Sequence, residues 1–189
     1  MTHTPGHVLI LGGARSGKTG LGERMAMRAG DKPAYLATAE ALDGEMRDRV
    51  QTHQRQRLGR FATIEEPLEI TGEIVKATKD HDVILVDCLT LWITNLLGAN
   101  RDVAAAVEDL VVTLAQIKTA KVILISNEVG LGIVPDNAMA RSFRDLAGEA
   151  HQRLAEICDD VYFVVAGLPM AIKGGEAAQG DEGGGVHEA

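Results

Sequence analysis

Four segments of the chain are apolar at every position and rich in β-branched residues: Val8–Leu11, Val83–Val86, Val122–Ile125 and Val161–Val165. A strand with one solvated face would alternate. Unbroken apolar runs of this length predict strands covered on both faces, as in a parallel sheet between helices. Ala34–Ala37 and Phe61–Ile64 are weaker strand candidates. Between them, Val107, Leu110, Val111, Leu114 and Ile117 recur at helical spacing behind Asp102, a capping residue. A longer helix is expected from about Ala138 to Cys158, with Phe143, Leu146, Leu154 and Ile157 inward. Strand and helix alternate, which predicts an α/β three-layer sandwich around a mostly parallel sheet.

Composition narrows this picture. The 189 residues suit one domain, expected over residues 1–173, with a core that must be aliphatic because only one Trp is present. Residues 174–189, GGEAAQGDEGGGVHEA, have almost no apolar content and are expected to form a disordered tail, in which His187 is a surface residue. A net charge of −8 speaks against nucleic-acid or membrane-surface binding, since either needs a basic stripe. Cys88 and Cys158 lie far apart within apolar stretches and read as reduced, packed thiols of a cytoplasmic protein. The longest apolar run, Val83 to Ile93, is interrupted and too short to span a bilayer, so no membrane insertion is expected.

The first strand candidate runs directly into Gly12-Gly13-Ala14-Arg15-Ser16-Gly17-Lys18-Thr19. A glycine, four residues and Gly-Lys-Thr between a strand and a helix form the phosphate-binding loop (P-loop) pattern. Its glycines let successive N–H groups curl round a polyphosphate, with the helix N-terminus pointing at the anion. Lys18 reaches the β- and γ-phosphates in such loops, and Thr19 completes the coordination of Mg²⁺. The pattern also needs a carboxylate at the end of another buried strand, and Asp87 after Val83–Val86 fits that position. A ligand would then lie at the carboxyl ends of the strands, where Ala37-Thr38 and Asn127-Glu128 also converge. Gly20 and Gly22 follow the loop inside the first helix, each at a cost of roughly 1 kcal/mol relative to alanine; close packing on the sheet is the expected reason.

Residues 35–67 leave more than one reading. A helix starting at Asp43 would put Met46, Val50 and His53 on one inward stripe, with Arg55, Arg57 and Arg60 just beyond. His53 is then either a satisfied histidine or an imidazole beside guanidiniums where phosphate charge changes hands. Glu65-Glu66-Pro67 reads as helix-start chemistry, or as a carboxylate that accepts the N–H donors of a guanine edge. Arg141 and Arg144, at i and i+3, either face a phosphate or are exposed helix charges. The glycine-containing loop 127–137 is long enough for a lid or a subunit contact.

The blocks GGARSGKT, YLATAEALDGEM leading to RVQTHQRQR, TIEEP, VDCLTLWITNLL, SNEVGLGIVPDN, FRDLAG and VVAGLPMAIK follow in this order. Together they resemble the bifunctional adenosylcobinamide kinase / adenosylcobinamide-phosphate guanylyltransferase family of cobalamin biosynthesis, over residues 7 to about 173. The resemblance implies a RecA-like P-loop core and two reactions. ATP or GTP phosphorylates the aminopropanol hydroxyl of adenosylcobinamide; GTP then gives GMP to adenosylcobinamide phosphate through a covalent guanylyl-histidine, at the position matching His53. It also implies a nucleotide site extending over Leu36, Ala37, Thr38, Gln54, Arg55, Gln56, Arg57, Glu65 and Asp87, with Thr19 and Asp87 for Mg²⁺. Assembly as a homotrimer is a further implication of the resemblance.

Overall fold

The computed structural model of the chain describes residues 6–39 and 59–175. Their strands are β1 (Val8–Gly12), β2 (Pro33–Ala37), β3 (Ala62–Glu65), β4 (Val83–Asp87), β5 (Lys121–Asn127), β6 (Asp160–Val165) and β7 (Leu168–Lys173). The helices are α1 (Lys18–Ala29), α2 (Ile70–Ala77), α3 (Leu89–Gly98), α4 (Val103–Gln116) and α5 (Ala138–Ile157). One sheet contains all seven strands in the order β3-β2-β4-β5-β1-β6-β7. Its pairings are parallel apart from the antiparallel β6–β7 edge.

Side-chain alternation explains the unbroken apolar runs. Leu9, Leu36, Ile84, Val86, Val122 and Leu124 enter a core beneath α2, α3, α4 and α5. Val8, Ile10, Leu85, Ile123 and Ile125 point the other way, beneath α1. Each fully buried Leu, Ile or Val contributes about 1.5–3 kcal/mol, so the central strands dominate the hydrophobic stabilisation. Helices therefore cover both faces, as the three-layer expectation required.

Local chemistry sets the helix ends. Asp102 accepts a hydrogen bond from Ala105 N at 3.0 Å and Asn137 one from Ala140 N at 2.7 Å, capping α4 and α5. On α5, Leu154 is buried, while Phe143, Leu146 and Ile157 are half-buried against the core. The two glycines of α1 differ. A Cβ on Gly22 would stand 2.9 Å from Ile125 Cδ1 and 3.0 Å from Leu85 Cδ1, so this glycine lets α1 lie close on the sheet. One on Gly20 would meet only the Arg24 guanidinium, at 3.4 Å, so packing on the sheet does not account for it.

Strand β7 is an addition to the expected set. Ala166 and Gly167, with φ of 52° and 83°, make a two-residue turn that folds Leu168–Lys173 back onto β6. Both cysteines are free and buried, and burial pushes the Cys158 thiol up to about 12, which leaves it unreactive at neutral pH. Among the described residues, no helix is long and apolar enough to cross a membrane. The helix expected from Asp43 to His53 and the tail from residue 176 onward lie outside the described residues.

Candidate active site

The carboxyl ends of the central strands meet at one edge of the sheet. Gly12 pairs with Asn127 across β1–β5, and Ala37 pairs with both Asp87 and Glu65. Beyond Gly12 the chain turns sharply into α1. Gly12 has φ 153°, and a Cβ there would lie 2.5 Å from Val164 O and 2.8 Å from Ser16 Oγ. Gly17, at φ 102°, sits against the β6–β7 turn, whose Gly167 N donates to Ser16 O at 2.8 Å. The hairpin thus braces the loop from behind. Arg15 holds a left-handed φ of 55° on the exposed crest, a conformation uncommon for a non-glycine residue.

Within this loop, Lys18 is buried and its Nζ donates to Gly13 O at 2.6 Å. Burial pushes its amine below the ordinary lysine range, while the Asp87 carboxylate pushes the other way. Thr19 Oγ1 donates to Asp87 Oδ2 at 2.9 Å, and the Tyr35 hydroxyl donates to the same oxygen at 2.6 Å. Loop and carboxylate, read separately along the chain, are therefore one hydrogen-bonded unit. A hydroxyl and a carboxylate beside a phosphate cradle form the all-oxygen donor set that a hard divalent cation such as Mg²⁺ takes.

Other expected site residues occupy distinct positions. Leu36 is in the core, and Ala37 closes β2 beside Asp87. Thr38 is fully buried; its hydroxyl donates to Cys88 O at 2.8 Å and accepts from Cys88 N at 2.9 Å, tying β2 to β4 at the site's floor. Asn95 supports the same floor through Nδ2 to Thr38 O. Glu65 ends β3 and is exposed, whereas Glu66 Oε1 accepts from Leu68 N and Glu69 N, both at 2.8 Å. Glu66 therefore does the helix-start work, and Pro67 stands ahead of α2 rather than in its first turn. Arg141 Nη1 donates to Pro135 O and Asp136 O, clamping the end of loop 127–137, and Arg144 pairs with Asp145. His53, Gln54, Arg55, Gln56 and Arg57 lie outside the described residues.

Two groups at this edge were not legible along the chain. One is the Tyr35 phenol, whose only signal was a polar atom in a buried strand, which demands a partner. The other joins β5 to α5: His151 Nε2 is 2.7 Å from Ser126 Oγ, and its Nδ1 is 3.7 Å from Glu128 Oε2.

Comparison with known proteins places the chain in a family. Residues 8–172 match the family described as cobinamide kinase / cobinamide phosphate guanyltransferase. The chain belongs to that family. It is 45% identical over 168 residues to a bifunctional adenosylcobalamin biosynthesis protein of Pseudomonas aeruginosa, covering 88% of this chain and 96% of the relative. A protein of the same description from Salmonella typhimurium is 41% identical over 182 residues, 88% of this chain and 99% of the relative. Among solved structures, the flagellar accessory protein FlaH from Methanocaldococcus jannaschii aligns with a TM-score of 0.53 and 14% identity, over 89% of this chain and 78% of that one. At that identity the likeness concerns the fold alone. The family match over residues 8–172 runs from β1 into the β6–β7 hairpin.

Proposed function

We propose that the chain is a bifunctional enzyme that phosphorylates the aminopropanol hydroxyl of adenosylcobinamide and then transfers GMP from GTP to the resulting phosphate. The products are adenosylcobinamide-GDP and pyrophosphate. The observation that carries this reading is family membership over residues 8–172 together with an intact phosphate cradle, Lys18, Thr19 and Asp87 included. Leu36, Ala37 and Thr38 form the floor of the nucleotide site in this reading, and Glu65, at the end of β3 beside Ala37, is the carboxylate offered to the guanine edge.

Mg²⁺ is held by Thr19 and Asp87 in this reading, and when bound it neutralises triphosphate charge. Lys18 and the loop N–H groups orient the phosphates, and Arg15 on the crest and Arg55 and Arg57 after His53 add positive charge. His53 is the nucleophile of the second reaction. Its neutral imidazole attacks the α-phosphorus, the bond to the pyrophosphate oxygen breaks, and the phosphoramidate passes GMP to the acceptor phosphate. Gln54 and Gln56 complete the nucleotide contacts beside it. The same reading includes a homotrimer, supported by exposed Leu168, Met170 and Ile172 on the edge strand β7, and a cytoplasmic location, supported by two free thiols.

Incubation with GTP labelled at the α-phosphate tests the central step. Label that is acid-labile, base-stable and absent from His53→Ala is expected; protein that never takes up label with Mg²⁺ present would sink the guanylyltransferase assignment.

A further inference from the structure

We propose that Glu128 is the base that orients and deprotonates the acceptor hydroxyl in the kinase step, an inference that rests on the kinase reading above. The residue follows directly on β5, and its backbone N donates to Gly12 O at 3.0 Å. It therefore stands beside the first residue of the P-loop. Lys18 Nζ, the group that engages the β- and γ-phosphates in such loops, sits on the next carbonyl, Gly13 O. Glu128 thus lies at the end of the cradle where the transferred phosphoryl group is expected.

Its side also fits. In-line transfer brings the acceptor to phosphorus opposite the leaving diphosphate. Helix α1 packs on one face of the sheet and α5 on the other, and Glu128 Oε2 stands 3.7 Å from His151 of α5. There the carboxylate is held by one contact at each oxygen. Oε1 accepts from Gly130 N at 2.5 Å, and Oε2 faces His151 Nδ1 at 3.7 Å. Among the described residues, no lysine or arginine forms an ion pair with it.

His151 of α5 stands behind this carboxylate. It is 94% buried by its 6% exposure, and Nδ1 has no hydrogen-bond partner, although Nε2 is engaged by Ser126 Oγ. A buried imidazole edge left open toward a half-buried carboxylate suits a carboxylate that shifts during the reaction, with Nδ1–H as its partner in one position. Burial pushes the His151 pKa down, against the pull of the Glu128 carboxylate. His151 and Ser126 are positioning residues here.

The acceptor oxygen forms a bond to the γ-phosphorus and its proton goes to a Glu128 oxygen. The bond from phosphorus to the β,γ-bridging oxygen breaks, and the nucleoside diphosphate leaves with that electron pair. The proton then passes to solvent. Guanylyl transfer has an acceptor phosphate with no hydroxyl proton to remove at neutral pH, so it makes no call on Glu128.

That asymmetry supplies the test. Wild-type, Glu128→Gln and Glu128→Asp proteins are assayed separately for phosphorylation of adenosylcobinamide and for GMP transfer to adenosylcobinamide phosphate. E128Q keeps an oxygen for Gly130 N, and its kinase kcat is expected to fall at least about 100-fold, the lower range for a general base. GMP transfer should change less than about threefold, which also reports an intact P-loop, and E128D should regain at least about tenfold of the kinase loss. An unimpaired E128Q kinase, parallel loss of both reactions, or equal kinase rates in the two variants would overturn the role of Glu128. A wild-type protein that phosphorylates nothing would instead remove the functional reading on which it rests.

Discussion

Thr19, at the start of α1, donates its hydroxyl to Asp87 Oδ2 at the end of β4 across 2.9 Å, and so joins the phosphate cradle to the strand-end carboxylate. The Tyr35 hydroxyl approaches the same oxygen at 2.6 Å from β2. Three elements therefore converge on one carboxylate. If that carboxylate serves Mg²⁺, Asp87→Asn removes the anionic ligand from both reactions, and each kcat should drop by about 100-fold or more. Tyr35→Phe leaves the carboxylate but frees its orientation. The expected result is a Mg²⁺ half-saturation raised about tenfold, the usual scale for a lost outer-shell partner. Magnesium titration of the initial rate reads this directly, and an unchanged curve would make Tyr35 a packing residue only.

Lys18 is buried with its amine on Gly13 O, so it is preplaced rather than swinging in from solvent. Lys18→Ala should abolish measurable GTP and ATP binding by calorimetry while the protein still unfolds cooperatively. Unchanged GTP affinity would contradict the assigned loop.

The adjacent acids Glu65 and Glu66 are expected to separate cleanly. Glu66→Ala removes a side chain that accepts two N–H groups ahead of α2, and should lower stability by about 1 kcal/mol, the scale of a lost cap, with nucleotide preference intact. Glu65→Gln should do the reverse. It keeps the strand end and loses the charge proposed to meet guanine, so the preference for GTP over ATP should shrink by about tenfold or more, as expected for a charge-assisted pair. Competition binding of the two nucleotides, beside a denaturant melt of each variant, distinguishes them.

The glycines of α1 make a stability pair. At Gly22 a methyl group would press on Ile125 and Leu85, both fully packed in the core. Overpacking of about 1–3 kcal/mol outweighs the helix-propensity gain of about 1 kcal/mol, so Gly22→Ala should be net destabilising. Gly20→Ala meets no core atom and should stabilise by about 0.5–1 kcal/mol. Chemical denaturation midpoints in the same buffer check both signs.

The contrast between these glycines shows which features a one-dimensional pattern can carry. Buried parallel strands were legible because both faces are covered, so β1, β4 and β5 appear as unbroken apolar runs. The P-loop and Asp87 were legible because phosphate chemistry demands fixed residue types at fixed spacing. Strand β7 was not, because Leu168–Lys173 is an exposed edge with a proline inside it; its signal lay in the short Ala166-Gly167 turn. Tyr35–Asp87 and Ser126–His151 were hidden for another reason. Each pair lies on separate elements, and only the register of the sheet and the docking of α5 bring the atoms together. The helix-start role of Glu66 became visible only in the backbone geometry, where it accepts from Leu68 N and Glu69 N.

His7 makes the stability of the fold depend on pH. Buried at the start of β1, its Nε2 stands 2.9 Å from Leu114 O, and Val122 N donates to its Nδ1 at 3.2 Å. A ring that accepts at Nδ1 and donates at Nε2 must be neutral. Burial pushes its pKa below the usual histidine value, against the pull of the Leu114 carbonyl and Asp159 and with help from Lys118 and Lys121. His151 is shifted the same way, chiefly by burial. Below about pH 6.5 the unfolded chain therefore binds protons that the folded chain refuses, and stability falls as the pH drops, by up to about 1.4 kcal/mol per unit for each histidine. Above that pH the contribution is complete. Urea unfolding at pH 7.5 and 5.5 should show the loss. His7→Gln, which offers an amide donor and a carbonyl acceptor but no titrating group, should reduce the drop to the share left by His151. An equal drop in the variant would assign the acid sensitivity to other groups.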